Sequence, residues 1–328
     1  MQAASETPGA TRPSTARTLL AFAFIYFVWG STFLAIRIGV LAVPPLLLAA
    51  MRFFIAGLGL YGWTIFRGER GPEGRQWLSA ILLGLLIFVG DYGCLFWAER
   101  RVPSGVAAVL LATIPAFMAL SEIVILRTQR LTLRLAFALL VGLCGVAVLV
   151  SRTLKVGGAP VDRAGAVAII AGAVCWSVAS VLTRKLPLPP SKSVSSGAQM
   201  LSGGVMLALV AAARGELRGF HPSAVPLAAW LALAYLIVFG SIIGFTAYLW
   251  LIHHQSPTKV GTYAYVNPVV AVLLGYFAAG EPLGPRTVLG ALCVLLSVVL
   301  ITTARAKPRP AAPLVKAAIA EPEIAQPD

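Results

Sequence analysis

Four ionisable side chains stand inside apolar runs long enough to cross a bilayer: Arg37, Arg52, Asp91 and Glu122. A charged group at the centre of a membrane helix costs roughly 2.5–3.5 kcal/mol on insertion scales, so such groups are kept where they pair, bind or exchange protons. With Glu99, the residues Arg37, Arg52 and Asp91 make two positive and two negative groups in one region of the chain. They can neutralise one another as a structural ion-pair cluster beside an outer gate. In a second reading, Asp91 is a lone carboxylate deep in an apolar run that titrates and couples solute movement to proton entry. Glu122, nearer the cytoplasmic end of its run, is a second and weaker candidate for a coupling or gating charge, the alternative being that it reaches toward Arg127 and Arg130.

Aromatic residues form the second group. Trp29, Trp176 and Tyr263 lie in mid-run, Tyr92 adjoins Asp91, and Tyr263 and Tyr265 precede Asn267. With Ser31 beside Trp29, these are the candidate lining of a solute cavity suited to flat, amphiphilic molecules, the alternative being plain packing. Trp63, Trp77 and Trp250 fall near run ends and read as interface anchors. Pro115 and Pro268 sit near the middle of their runs, where a missing N–H and a freed carbonyl predict kinks. Gly240-x-x-x-Gly244 is a small-residue motif for close helix packing or dimerisation.

Catalytic patterns are missing. There is no HExxH, no pair of intramembrane aspartates, no nucleophile elbow and no Walker A sequence. His253-His254 has no third ligand nearby, and Cys94, Cys144, Cys175 and Cys293 form no CxxC pair. No metal site, no cofactor and no enzymatic activity are expected; a membrane-embedded enzyme is the remote alternative. A channel would need a repeated filter segment, which is not seen.

The elements that position these groups follow from composition. Of 328 residues, 59% are hydrophobic and 12% charged, against about 25% charged in soluble domains, and the mean hydropathy is +0.87. Lipid must therefore solvate most of the surface. The net charge of +14 is spread over short gaps between apolar runs rather than gathered on one module, so nucleic acid is not expected as a partner. The all-α reading has ten membrane spans: 18–40, 45–66, 77–98, 103–126, 133–151, 164–184, 195–213, 226–252, 259–281 and 286–304. With the N-terminus inside, sixteen Lys and Arg fall in inside segments and eight outside, so both termini are expected in the cytoplasm. Residues 1–17 form an N-terminal tail without a cleaved signal peptide, and 305–328 a flexible C-terminal tail.

The two halves, 18–152 and 163–304, resemble each other. Trp29 precedes Arg37 by eight residues, as Trp176 precedes Arg184. Val102-Pro103-Ser104 with Pro115 matches Ser256-Pro257-Thr258 with Pro268, and Gln129-Arg130-Leu131 matches Glu281-Pro282-Leu283. Five spans per copy is odd, so the second copy must insert inverted, a plan common in secondary transporters.

Several strings resemble signatures of the EamA family in the drug/metabolite transporter superfamily. They are Trp29-Gly30-Ser31-Thr32-Phe33-Leu34-Ala35-Ile36-Arg37, Pro44-Pro45 with Met51-Arg52-Phe53, Ala98-Glu99 with Val102-Pro103-Ser104-Gly105, and Tyr263-Ala264-Tyr265-Val266-Asn267-Pro268. The likeness covers about residues 18–303. It implies a ten-helix inner-membrane carrier of metabolites or drugs, alternating access and a central cavity lined by both repeats. Where the family commonly ends the fourth helix in Gly-Glu-Arg, this chain has Gln129, while Gly280-Glu281 is kept. The expected partners are a small-molecule solute and the bilayer, the protein acting as monomer or homodimer. Export coupled to a proton gradient is the leading expectation, with an uptake permease or exchanger for amino acids or other metabolites as the alternative.

Overall fold

A computed structural model describes residues 14–102, 107, 110–149, 162–279 and 284–303, and every regular element among them is helical. The first five helices are α1 (Thr15–Ala42), α2 (Pro45–Phe66), α3 (Arg75–Ala98), α4 (Ile114–Leu126) and α5 (Leu133–Leu149). The second five are α6 (Arg163–Leu182), α7 (Lys192–Ala213), α8 (Leu227–His254), α9 (Tyr263–Ala279) and α10 (Pro285–Thr302). Six of these, α1, α2, α3, α6, α7 and α8, are long and apolar enough to cross a membrane. Gly280-Glu281, Pro103 to Gly105 and both tails beyond Ser14 and Thr303 lie outside the described residues.

Helix starts follow local chemistry. Ser14, Asp162 and Ser191 each accept a backbone N–H three residues on, which satisfies a donor that the first turn leaves free. Pro45 and Pro285 open α2 and α10, where a missing N–H costs nothing. Large apolar side chains such as Leu19, Phe27, Leu34 and Leu41 of α1 face outward, as a lipid-solvated surface requires. Pro115 corrects the expected mid-helix kink. The chain breaks at Ala112-Thr113 and restarts at Ile114, so Pro115 stands at the beginning of a helical segment, where its ring clashes with nothing. Pro268 does lie inside α9.

Packing reveals how the halves relate. α2 packs on α7 and α5 on α10; α1 meets α8 and α9 while α6 meets α3 and α4; α2 meets α8 while α7 meets α3. Exchanging each helix for the one five places along reproduces the same set, so a pseudo-two-fold axis relates the repeats. Its direction can be read from the glycine contacts. Gly204 abuts Phe53 and Phe54, Gly57 abuts Met200 and Leu201, and Gly197 abuts Tyr61. Residue numbers rise along α2 as they fall along α7. On the other pair, Arg134 donates to Thr303 Oγ1 (2.7 Å) and Ser297 to the Ala138 carbonyl (2.6 Å), again antiparallel. Equivalent helices that run antiparallel require an axis perpendicular to them, which inverts one repeat relative to the other.

Two stretches depart from ordinary helical winding. Leu85–Gly93 of α3 and Leu236–Ile243 of α8 are wound as wider π turns, features that recur at functional sites. They occupy corresponding helices of the two repeats.

Candidate functional site

The repeats meet in an aromatic box. Trp29 of α1 and Trp176 of α6 stand edge to face, centroids 5.6 Å apart and planes at 80°. Tyr263 is edge-on to Trp29 at 4.8 Å, and Tyr92 is edge-on to Trp176 at 5.8 Å. Such pairs contribute about 0.5–1.5 kcal/mol each beyond area burial. Trp29 Nε1 donates to the Gly240 carbonyl at 3.0 Å, and a Cβ on Gly244 would lie 2.7 Å from that nitrogen. The Gly240-x-x-x-Gly244 motif thus serves an internal contact, admitting Trp29 against α8.

Within the box is a cavity of about 50 Å³ lined by Thr32, Phe33, Asp91, Tyr92, Trp176, Tyr263, Asn267 and Pro268, among others from both repeats. That is room for little more than water, whereas small-molecule sites usually span 300–1,000 Å³. Asp91 Oδ1 makes no hydrogen bond among the described residues. Asp91 faces α6 at Gly172, where a Cβ would lie 3.0 Å from Oδ1. Asn267, with Nδ2 turned to the acceptors, donates to the carbonyls of Tyr263 (3.0 Å) and Tyr26 (3.3 Å).

The expected ion-pair cluster does not form among the described residues. Arg37 is exposed, and its Nη1 reaches the Glu99 carbonyl oxygen (3.1 Å) rather than the carboxylate. Glu99 is buried, and neither carboxylate oxygen is hydrogen-bonded among the described residues. Arg52 points the other way, its Nε donating to Ser241 Oγ at 2.8 Å. The groups leave their helices in different directions, so proximity in sequence does not become pairing. Glu122 also departs from expectation. It does not turn to Arg127 and Arg130; its Oε2 accepts from Thr258 N (3.1 Å) and Oγ1 (2.7 Å), and Oε1 from Thr128 Oγ1 (3.1 Å). A carboxylate of the first repeat thereby caps the one-turn helix Pro257–Val260 that leads into α9. All four buried charged residues among the described ones, Arg52, Asp91, Glu99 and Glu122, belong to the first repeat.

Two expected lining residues lie elsewhere. Ser31 bonds the Val28 carbonyl and the Tyr235 hydroxyl. Tyr265 donates to the Leu139 carbonyl (2.9 Å) and packs in a separate core between α5 and α10. Tyr248 was not anticipated. It touches Trp29 at 5.2 Å and Trp176 at 4.9 Å and shares a hydrogen bond with Ser180. Among the described residues no cluster of His, Cys, Asp and Glu is suited to a metal ion.

Comparison with known proteins agrees with this arrangement. The model of the EamA-like transporter family matches twice, over residues 16–151 and 163–303. An uncharacterized inner membrane transporter of Escherichia coli (strain K12), YedA, is 38% identical over 280 residues, covering 85% of this chain and 88% of its own. The uncharacterized transporter YoaV of Bacillus subtilis (strain 168) is 24% identical, covering 87% and 97%. A solved crystal structure with a TM-score of 0.71 and 25% identity covers 89% of this chain and 99% of its own. Two helical halves packed in inverted relation, an aromatic box between them and a family match over both halves lead to one conclusion: this chain is a membrane protein of the EamA-like transporter family.

Proposed function

We propose that the protein is a ten-span secondary carrier of the inner membrane that exports small amphiphilic metabolites or drugs by alternating access, with proton entry as the driving reaction. Both termini face the cytoplasm in this reading, in keeping with the distribution of Lys and Arg. The observation that carries it is the box itself: the repeat-equivalent Trp29 and Trp176 meet across the pseudo-axis beside Asp91, whose Oδ1 has no hydrogen bond among the described residues. Flat rings supply a surface for an apolar solute, and rearrangement of the two repeats widens the site toward one side or the other. Asp91 is the group in the cavity wall able to take up and release a proton as that site opens.

Proteoliposomes test this directly. A panel of amphiphilic solutes is followed with and without an imposed pH gradient. Wild type is expected to show gradient-driven flux, and Asp91→Asn to lose it while retaining solute exchange down a concentration gradient. Undiminished gradient-driven flux in Asp91→Asn would overturn the coupling role.

A further inference from the structure

Arg52 is the least explained charge in the molecule. It is 1% exposed, in the middle of α2. Its Nε is anchored to the neutral Ser241 Oγ at 2.8 Å, while Nη1 makes no hydrogen bond among the described residues. The guanidinium lies 4.6 Å from the Phe53 ring and 5.0 Å from the Tyr92 ring. Two rings and hydrogen bonding to neutral hydroxyls, those of Ser241 and Tyr92, offset only part of the desolvation of a buried cation. Packing does not require the charge either. α2 and α7 are equivalent helices beginning at Pro45 and Lys192, and the position matching Arg52 is the neutral Gln199.

The location gives the charge a use. A Cβ on Gly240 would lie 2.8 Å from Arg52 Nη2 and 3.2 Å from Thr32 Cγ2, so the guanidinium lies beside Thr32. Thr32 and Tyr92 both line the central cavity, which puts Arg52 one side chain behind its wall. We infer that Arg52 is the counter-ion of the transported solute: the cargo carries a carboxylate on an apolar, preferably aromatic, body. The carboxylate engages the free edge of Arg52 when the wall at Tyr92 moves, and the body rests against Trp29 and Trp176. This inference rests on the carrier reading above and narrows its solute class.

The test uses full-length protein purified in detergent and three matched probes: 3-phenylpropionate, 3-phenylpropan-1-ol and 3-phenylpropylamine. Binding is read from tryptophan emission and from the shift in melting midpoint. Wild type is expected to bind the acid at least about tenfold more tightly than the alcohol, the scale of one charge-assisted contact. Arg52→Gln should erase that preference and leave alcohol binding unchanged, while Arg52→Lys keeps part of it. Ser241→Ala, which frees the anchored Nε without removing charge, should weaken acid binding alone and serves if Arg52→Gln does not fold. Equal binding of acid and alcohol by wild type, or a preference that survives in Arg52→Gln, would overturn the inference and leave the carrier reading standing. Binding of none of the probes would remove the box as a solute site, and both readings fall together. Acid-selective binding without flux in proteoliposomes would sink the carrier reading alone.

Discussion

Replacing Gly197 with alanine probes the contact from which the inverted arrangement is deduced. A Cβ there would lie 2.7 Å from Tyr61 N, 2.9 Å from its Cα and 3.0 Å from its Cβ, where ordinary contacts begin at 3.4 Å. The obstacle is backbone, which cannot rotate away, so α2 and α7 must separate by about 0.7 Å at this point. Separation also loosens the neighbouring contacts of Gly57 and Gly204. Overpacking of this kind costs about 1–3 kcal/mol, and the unyielding backbone puts Gly197→Ala toward the upper end. Gly59 and Gly62 of the partner helix α2 supply the control, since nothing lies within 4 Å of a Cβ at either. Alanine there should gain up to about 1 kcal/mol from helix propensity. Melting midpoints of purified protein in one detergent, followed by tryptophan emission, should fall by several degrees for Gly197→Ala and hold or rise for Gly59→Ala and Gly62→Ala. If Gly197→Ala melts no lower than wild type, or all three variants fall alike, the antiparallel close approach of α2 and α7 is wrong.

Two further perturbations address the buried carboxylates. Glu122→Ala leaves the buried Thr258 N–H and hydroxyl without their acceptor, about 1–3 kcal/mol for each group; the melting midpoint should drop, and Glu122→Gln should drop less than half as far. Equal losses in the two variants would show that the hydrogen bonds are not the cause. Glu99, one residue beyond the end of α3, is pushed up to about 7 by burial, with Arg37 opposing. The folded state therefore holds this proton more tightly than the unfolded chain. Its contribution to stability is complete below about pH 4.5 and is lost as pH rises through 7. The loss reaches about 3 kcal/mol by pH 8 at 1.36 kcal/mol per unit. Glu99→Gln should melt above wild type at pH 8 and level with it at pH 5; parallel pH profiles for the two proteins would refute this.

Much of the architecture is legible in the chain because it depends on period and composition. The spacing from Trp29 to Arg37 and from Trp176 to Arg184 pairs α1 with α6 before any coordinates. The pairing of side chains was not legible. Asp91 and Arg52 look like partners on the page, yet one faces Gly172 and the other Ser241, because the direction of a side chain depends on helix rotation. The π turns at Leu85–Gly93 and Leu236–Ile243 add to this, since a wider turn rotates every later residue out of the 3.6 period. Tyr248 enters the box for that reason, two positions before a tryptophan that reads as an interface anchor. Tyr265 leaves it because residues two apart on a helix point about 200° apart, and its hydroxyl finds the Leu139 carbonyl in another core.

The confinement of Arg52, Asp91, Glu99 and Glu122 to the first repeat bears on how the gene must be organised. Two identical copies of the first repeat, associating by the same antiparallel contacts, would bury those four charges twice. At roughly 2.5–3.5 kcal/mol for a charge well inside a membrane helix, a second Arg52 and a second Asp91 alone would cost about 5–7 kcal/mol, a large share of the stability of an ordinary domain. The second repeat, with no buried charge among its described residues, is therefore no redundant copy. Covalent linkage of the halves in one polypeptide ensures that the half with buried charges always meets one whose described residues bury none.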